Sequence, residues 1–109
     1  MKTPMQDLMD YQPANEPQTI KPKNHRELVT QWLLDKLQEE AAEVIQAVSK
    51  VRRFGDTNHH PDRNTSNHDE LVSELTDLLA ILAALEHTRY FDLTKHQQTI
   101  LKKTQQLIS

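Results

Sequence analysis

The chain contains no cysteine, and this absence excludes disulfide bridges, thiolate metal sites and a cysteine nucleophile. A chain without cysteine suits a reducing compartment, so we expect the protein to be cytoplasmic. Long hydrophobic runs are also missing. No stretch has the roughly 20 apolar residues of a membrane helix, and the N-terminus has no apolar run of signal-peptide length. We therefore expect no membrane partner.

The chain also lacks an excess of positive charge, since its formal net charge is −3. Such a chain has no general basic field for a nucleic-acid backbone, so nucleic acid is not an expected partner. Any polyanionic ligand must be met by local cations or by a bound metal. With 109 residues and 36% hydrophobic content, the chain is close to the lower limit for a self-sufficient core. We therefore expect a homodimer or a homotetramer.

The prolines divide the chain into two parts. Four of the five precede residue 24, at Pro4, Pro13, Pro17 and Pro22, in a segment with few apolar residues and no sustained periodicity. This composition predicts an extended or disordered arm over residues 1–23. Residues 24–109 are expected to form one domain.

Helical patterns fill this domain. Asn24 is a good N-cap for a first helix that runs to Phe54, and Gly55, the only glycine, is placed to close it as a left-handed residue. Turn-forming residues over 55–67 predict an exposed loop. A second helix is expected from near residue 68 to about Tyr90, and a third over Leu93–Ile108. Strand signals are lacking, so the predicted fold class is all-α.

The first two helices carry the same acidic pattern. When "LQEEAAEVIQAV" and "LVSELTDLLAIL" are superposed with an offset of 34 residues, Glu40 and Glu43 fall on Glu74 and Asp77. At about 100° of rotation per residue, each acidic pair lies on the same side of its apolar stripe. An antiparallel hairpin can bring the four carboxylates into one cluster. Their mutual repulsion favours a bound cation, and all-oxygen ligands suit Mg²⁺ or Mn²⁺.

The acidic pairs also have a simpler interpretation, since acids spaced i, i+3 on a helix commonly mark nothing more than a solvated face. Metal sites of other kinds fit the sequence poorly. A di-iron bundle normally needs Glu-x-x-His, and no glutamate of this chain is followed by histidine at that spacing. No two of the six histidines stand at i, i+4, the spacing that a helical zinc site prefers.

The run "EEAAEVIQAVSKVRRFG" and the later "ELTDLL" resemble the MazG-like branch of the all-α nucleoside triphosphate pyrophosphohydrolases. That family is marked by Glu-x-x-Glu, a spacer and Glu-x-x-Asp, and the resemblance extends over roughly Leu28–Leu107. It implies Mg²⁺-dependent hydrolysis of a (deoxy)nucleoside triphosphate to monophosphate and pyrophosphate, for nucleotide pool control or housecleaning. The metal ligands would be Glu40, Glu43, Glu74 and Asp77. The candidates for orienting or deprotonating the attacking water are Glu39, Glu40 and Glu43.

Phosphates also need cations. The run "KVRRFG" is similar to the Lys-x-x-Arg-Phe-Gly of relatives and favours Lys50 and Arg53, although positive charge at a helix C-terminus is also favoured by the helix dipole alone. Arg63 of the loop is a third candidate. The resemblance further implies a phosphate-binding lysine on the last helix, for which Lys102 and Lys103 are candidates.

Two aromatic residues are candidates for stacking on a base. They are Trp32 and Phe54, but an aromatic residue at helical spacing is more often used for packing.

The expected architecture is an antiparallel helical hairpin plus a third helix, with a four-helix-bundle core completed by dimerisation. The basis is a second apolar edge on the hairpin, formed by Leu34, Ile45, Leu79 and Leu85. Two other functions stay open. One is a non-catalytic oligomerisation or interaction module that binds a basic partner, and the other is an enzyme like phosphoribosyl-ATP pyrophosphohydrolase.

Overall fold

The computed structural model describes residues 2–11, 21–59 and 61–109. Over these ranges the chain forms four α-helices and one short 3₁₀ turn, and it forms no strand. The helices are α1 (Pro4–Asp10), α2 (His25–Phe54), α3 (Asn67–His87) and α4 (Gln97–Ile108), and the 3₁₀ turn (Thr94–His96) precedes α4. The predicted all-α fold class is confirmed. None of the described helices is long and apolar enough to cross a bilayer.

Helix α1 lies inside the segment that was predicted to be extended or disordered, so that prediction does not hold for residues 4–10. The helix begins with a capping box, in which Gln6 N donates to Thr3 Oγ1 at 3.2 Å and Thr3 N donates to Gln6 Oε1 at 2.9 Å. Pro4 occupies the first turn, where proline needs no hydrogen-bond acceptor and its fixed φ suits a helix. Residues 12–20 of the predicted arm lie outside the described residues.

Helix α2 has the predicted bounds. Asn24 Oδ1 accepts from Glu27 N at 2.9 Å at its start, and Gly55 N donates to Val51 O at 2.8 Å at its end. Gly55 has φ +88° and ψ 162°. Its φ is positive as predicted, but its ψ is extended, so the residue is not in the left-handed helical region. This conformation is nearly exclusive to glycine.

Helix α3 begins where Ser66 Oγ accepts from Asp69 N at 3.1 Å. It ends at His87, before the predicted end near Tyr90, because Arg89 adopts φ 66°. Arg89 N donates to Glu86 O at 2.9 Å and Tyr90 N donates to Leu85 O at 3.1 Å. These two bonds form a Schellman motif, with arginine in the place that glycine usually takes.

Helices α2 and α3 pack as the predicted antiparallel hairpin. At the loop end, buried Asn67 donates from Nδ2 to Gly55 O at 3.0 Å. At the open end, the hydroxyl of Thr30 donates to that of Thr88 at 3.3 Å. The pairing of opposite ends places the acidic residues near the middle of α2 beside those near the middle of α3.

The interior of the hairpin is small. Its buried apolar residues are Leu33, Ala47 and Leu85. Leu85 was predicted to lie on the second apolar edge, which a partner subunit would cover. It is only 1% exposed in the single chain, so that assignment is wrong for Leu85. On that edge Ile45 and Leu79 are 70% and 65% exposed, as the edge prediction requires, and every residue of α4 is exposed. A single chain therefore leaves a large part of its apolar surface uncovered.

Candidate metal centre

The hairpin brings three of the four predicted metal ligands together. Glu40 lies on α2, Glu74 and Asp77 lie on α3, and one carboxylate oxygen of each lies within 4.8 Å of the others. The two helical repeats have matched rotational phase, so the packing of α2 against α3 turns both acidic edges to the same side. The three carboxylates offer only oxygen ligands.

Two oxygens of this cluster are buried without a hydrogen-bond donor. They are Glu40 Oε1 and Glu74 Oε2, for which the described residues provide no partner. A buried polar atom that lacks a partner costs about 1–3 kcal/mol, and more when the group is charged. Asp77 is exposed and keeps the cluster open to solvent. Buried carboxylate oxygens without donors, in a cluster of this size, fit a bound cation.

The electrostatics of Glu40 lead to the same conclusion. Burial is the main reason that the pKa of Glu40 is raised to about 8, and the neighbouring carboxylates of Glu74 and Glu43 contribute to the same rise. Without a cation, this carboxyl holds a proton near neutral pH. A divalent cation can take the place of that proton and relieve the repulsion within the cluster.

Glu43 lies beside the three clustered acids. Its carboxylate is exposed and neighbours that of Glu40, but it does not belong to the set whose oxygens lie within 4.8 Å of one another. Helix α2 thus contributes one clustered ligand and one adjacent acid. The donor set fits a hard divalent ion such as Mg²⁺ or Mn²⁺, which bind through few carboxylates and retain water.

An open groove of about 300 Å³ continues from the cluster between α2, α3 and the loop. Its lining contains two cations, Lys50 and Arg63, and it extends from the cluster toward the C-terminal end of α2. Its lining residues are Glu43, Gln46, Ala47, Lys50, Arg63, Glu70, Ser73 and Glu74. Arg63 Nη1 lies 2.8 Å from Glu70 Oε1, and this hydrogen-bonded contact lowers the pKa of Glu70. The groove therefore combines carboxylates at one end with cations along its wall.

Two of the other predicted site residues lie elsewhere. Glu39 is exposed and pairs with Lys36, with 3.5 Å between Nζ and Oε2, and it is not among the clustered acids of the described residues. The guanidinium of Arg53 lies over the ring of Phe54, 5.4 Å from its centroid, and Arg53 is not among the residues that line the groove in the described chain.

Trp32, the first candidate for stacking on a base, is partly buried. The ammonium of Lys36 lies 5.8 Å from the centroid of its ring. The ring is not part of the groove lining in the described chain, so its contact with a base stays a prediction.

The last two predicted cations lie on α4. Lys102 lines a separate shallow depression on α4 itself, together with Gln98 and Gln105. Neither Lys102 nor Lys103 lines the groove beside the cluster in the described part of the chain. Their assignment to phosphate binding stays a prediction, because neither lysine lines the groove of a single chain in the described residues.

Three polar groove residues were missed by the sequence reasoning. They are Gln46, Glu70 and Ser73. Helical spacing could have indicated them, because Gln46 follows Glu43 by three residues and Glu70 precedes Glu74 by four. Their side chains are neutral or acidic, so none of them carries the positive charge that marks a phosphate-binding residue in a sequence.

The fold and the site together define an all-α protein whose helical hairpin presents a cluster of three carboxylates. The profile of the MazG nucleotide pyrophosphohydrolase domain family matches residues 29–107, most of the chain, and the chain belongs to this family. The predicted resemblance is thereby confirmed. Members of the family generally use a divalent metal, in agreement with the acidic cluster. No curated protein and no solved structure gives a significant match to the chain.

Proposed function

We propose that the protein hydrolyses a (deoxy)nucleoside triphosphate to the monophosphate and pyrophosphate in a Mg²⁺-dependent reaction. One observation carries this proposal. Two buried carboxylate oxygens without donors, on Glu40 and Glu74, belong to an acidic cluster that adjoins a groove lined by Lys50 and Arg63. Membership of a nucleotide pyrophosphohydrolase family supports the same reaction class.

The acidic residues would have two roles, metal binding and activation of a water molecule. Glu40, Glu74 and Asp77 would hold the ion, and Glu43 is near enough to join them or to orient a water molecule. The bound ion would neutralise the phosphates, polarise the phosphoryl group and lower the pKa of a coordinated water. Glu43 is our candidate for the base, because it is exposed and lines the groove where the triphosphate would lie.

Two cations would meet the phosphate groups. Lys50 extends from α2 into the groove, and Arg63 reaches it from the loop. Arg63 is paired with Glu70 at 2.8 Å, which holds its guanidinium at the groove wall before a ligand arrives. A guanidinium already fixed in place loses less side-chain entropy on binding than a free one.

The test is pyrophosphate release from canonical and modified nucleoside triphosphates and from phosphoribosyl-ATP, with Mg²⁺ and with chelator. We expect metal-dependent release by the wild type and its loss in Glu40→Gln. Glu39→Gln is the matched comparison, because Glu39 pairs with Lys36 and is not among the clustered acids; retained release in this variant would also exclude Glu39 as the residue that activates the water. A folded wild type that releases nothing from any substrate would refute the proposal and favour the non-catalytic interaction module.

We further propose that two or four copies assemble through the apolar surface that one chain leaves open. Ile45 and Leu79 on the hairpin, and Leu101 and Leu107 on α4, are all at least half exposed. Burial of such residues contributes about 1.5–3 kcal/mol each, and a second copy would complete a four-helix bundle. Light scattering should show a dimer or a tetramer that Leu79→Glu dissociates. A monomeric wild type at micromolar concentration would contradict this assembly.

A further inference from the structure

Glu70 is an acidic residue in a groove that is proposed to bind phosphates. It lies on α3 four residues before Glu74, and it lines the groove together with the two cations, Lys50 and Arg63. A bound metal ion can neutralise the clustered carboxylates, but Glu70 is not among the clustered acids of the described residues. Its negative charge opposes a polyanionic ligand, so its place in the groove needs a physical reason.

The carboxylate of Glu70 joins two residues of the loop to α3. Its Oε1 accepts a hydrogen bond from Arg63 Nη1 at 2.8 Å and a longer one from Thr65 Oγ1 at 3.4 Å. The hydrogen bond from Arg63 is the main cause of the lowered pKa of Glu70, and the positive charge of Lys50 adds to it. One carboxylate oxygen thus holds both the guanidinium and the end of the loop.

Glu70 is the fixed member of this pair, and Arg63 is the movable one. Glu70 lies in the first turn of α3, where its N donates to Ser66 O at 3.0 Å, and buried Asn67 in the same turn is tied to Gly55 O. The Glu70 side chain is 22% exposed, whereas that of the loop residue Arg63 is 53% exposed. Because Arg63 lines the groove and a guanidinium has five N–H donors, it can bind a phosphate while Nη1 stays on Glu70.

Glu70 has two opposing effects on a phosphate ligand. Repulsion between its carboxylate and the ligand weakens binding, but salt screens charges in an open groove, with a Debye length of about 8 Å at physiological ionic strength. Ordering of Arg63 strengthens binding, because an arginine that is already in place loses less side-chain entropy when the ligand arrives. The contact that orders Arg63 is only 2.8 Å long and is screened much less. At physiological ionic strength the ordering effect should therefore exceed the repulsion.

We propose that Glu70 is a positioning residue that holds Arg63 toward the distal phosphates of the triphosphate. This assignment rests on the proposed function, in which the acidic cluster holds the metal and the two cations meet the phosphates beyond it. It implies that the loss of a negative charge from an anion-binding groove weakens the binding of the anion. If Glu70 instead occupied the place of a phosphate on Arg63 until the substrate displaced it, the same loss would tighten binding.

The experiment is a double-mutant cycle on nucleotide affinity. An α,β-methylene nucleoside triphosphate, which resists cleavage at the α–β position, is titrated calorimetrically with Mg²⁺ at about 0.15 M salt. The proteins are wild type, Glu70→Ala, Arg63→Ala and the double variant. Glu70→Ala should weaken binding roughly three- to tenfold, which is the cost of immobilising one long side chain. In the Arg63→Ala background it should cause no further weakening, because Glu70 acts through Arg63.

Two further variants separate the hydrogen bond from the charge. Glu70→Gln keeps an oxygen that accepts from Arg63 and removes the charge, so it should bind the nucleotide more tightly than Glu70→Ala. Asp69→Ala is the matched control, because Asp69 lies in the same first turn of α3 and is not among the described residues that line the groove. Its affinity should stay within about twofold of wild type.

Equal or tighter binding by Glu70→Ala would overturn the positioning role, and so would a weakening that persists in full in the Arg63→Ala background. In both cases binding by wild type would leave the proposed function standing. If wild type with Mg²⁺ does not bind the nucleotide, the proposed function and this assignment fail together. Urea unfolding checks that each variant is folded. Glu70→Asp, which withdraws the carboxylate from Arg63 by one methylene and should also weaken binding, replaces Glu70→Ala if that variant does not fold.

Discussion

If Glu40 is a ligand as proposed, competition between a proton and the metal should make the affinity for Mg²⁺ depend on pH. Burial beside other carboxylates raises the pKa of Glu40 to about 8, so near neutral pH an incoming ion must displace its proton. If one proton is displaced, the apparent dissociation constant exceeds its limiting value by a factor of about 100 at pH 6 and about 2 at pH 8. Binding should therefore tighten about 50-fold over that interval and should level off at higher pH.

The assay is calorimetric titration of the metal-free protein with Mg²⁺ at pH 6, 7 and 8. Each titration is repeated in a second buffer with a different ionisation enthalpy. The difference in heat between the buffers counts the protons released, which we expect to fall from about one at pH 6 toward a half at pH 8.

Two variants isolate the source of the effect. Glu40→Gln removes the titrating group, so its residual Mg²⁺ affinity should be weak and nearly independent of pH. Glu39→Gln should behave as wild type, because Glu39 pairs with Lys36 and lies outside the cluster. A wild-type affinity that stays constant between pH 6 and 8 would show that Glu40 is not a ligand or that its carboxyl is already ionised.

Three further outcomes follow from particular contacts. Arg89→Gly should raise the free energy of unfolding in urea by up to about 1 kcal/mol, because glycine tolerates φ 66° without the steric cost of a Cβ. The control is Gln38→Gly, inside α2, which should lower the free energy of unfolding by about 1 kcal/mol. Asn67→Ala should lower it by about 1–3 kcal/mol, because it removes a buried hydrogen bond between loop and helix, and an unchanged urea midpoint would contradict this. Arg63→Ala should raise the KM for the nucleotide roughly tenfold through the loss of a charge-assisted contact. Arg53→Ala should raise the KM less, because Arg53 lies over the Phe54 ring and does not line the groove. Equal effects of the two variants on the KM would contradict the groove assignment.

Some features of the fold were predicted well because their causes are local. The cap at Asn24, the stop at Gly55 and the apolar spacing of both long helices depend on neighbours in sequence, and the structure has α2 within the predicted bounds. The sequence did not predict α1, the early end of α3 or the 3₁₀ turn that delays the start of α4 from Leu93 to Gln97. Helix α1 depends on a capping box that proline-rich surroundings obscured, and α3 ends early at Arg89, a residue type that gives no helix-stop signal.

Assigning side chains to the site was harder than identifying their pattern. Sequence spacing treats Glu40 and Glu43 alike, but the packing of α3 leaves the first partly buried in the cluster and the second exposed beside it. In the same way, Arg53 and Arg63 were both candidates for phosphate binding. The structure directs the first onto the Phe54 ring and the second into the groove.

The sequence by itself determined the all-α class, the two acidic repeats and the family, because helical periodicity and a short motif can be read without knowing what contacts what. Only the tertiary structure decided which carboxylates share a site and which cations face it. Those relations join residues far apart in the chain, such as Glu40 and Glu74 or Lys50 and Arg63. They are set by the packing of α2 against α3 and by the path of the loop between them, and no local pattern encodes either.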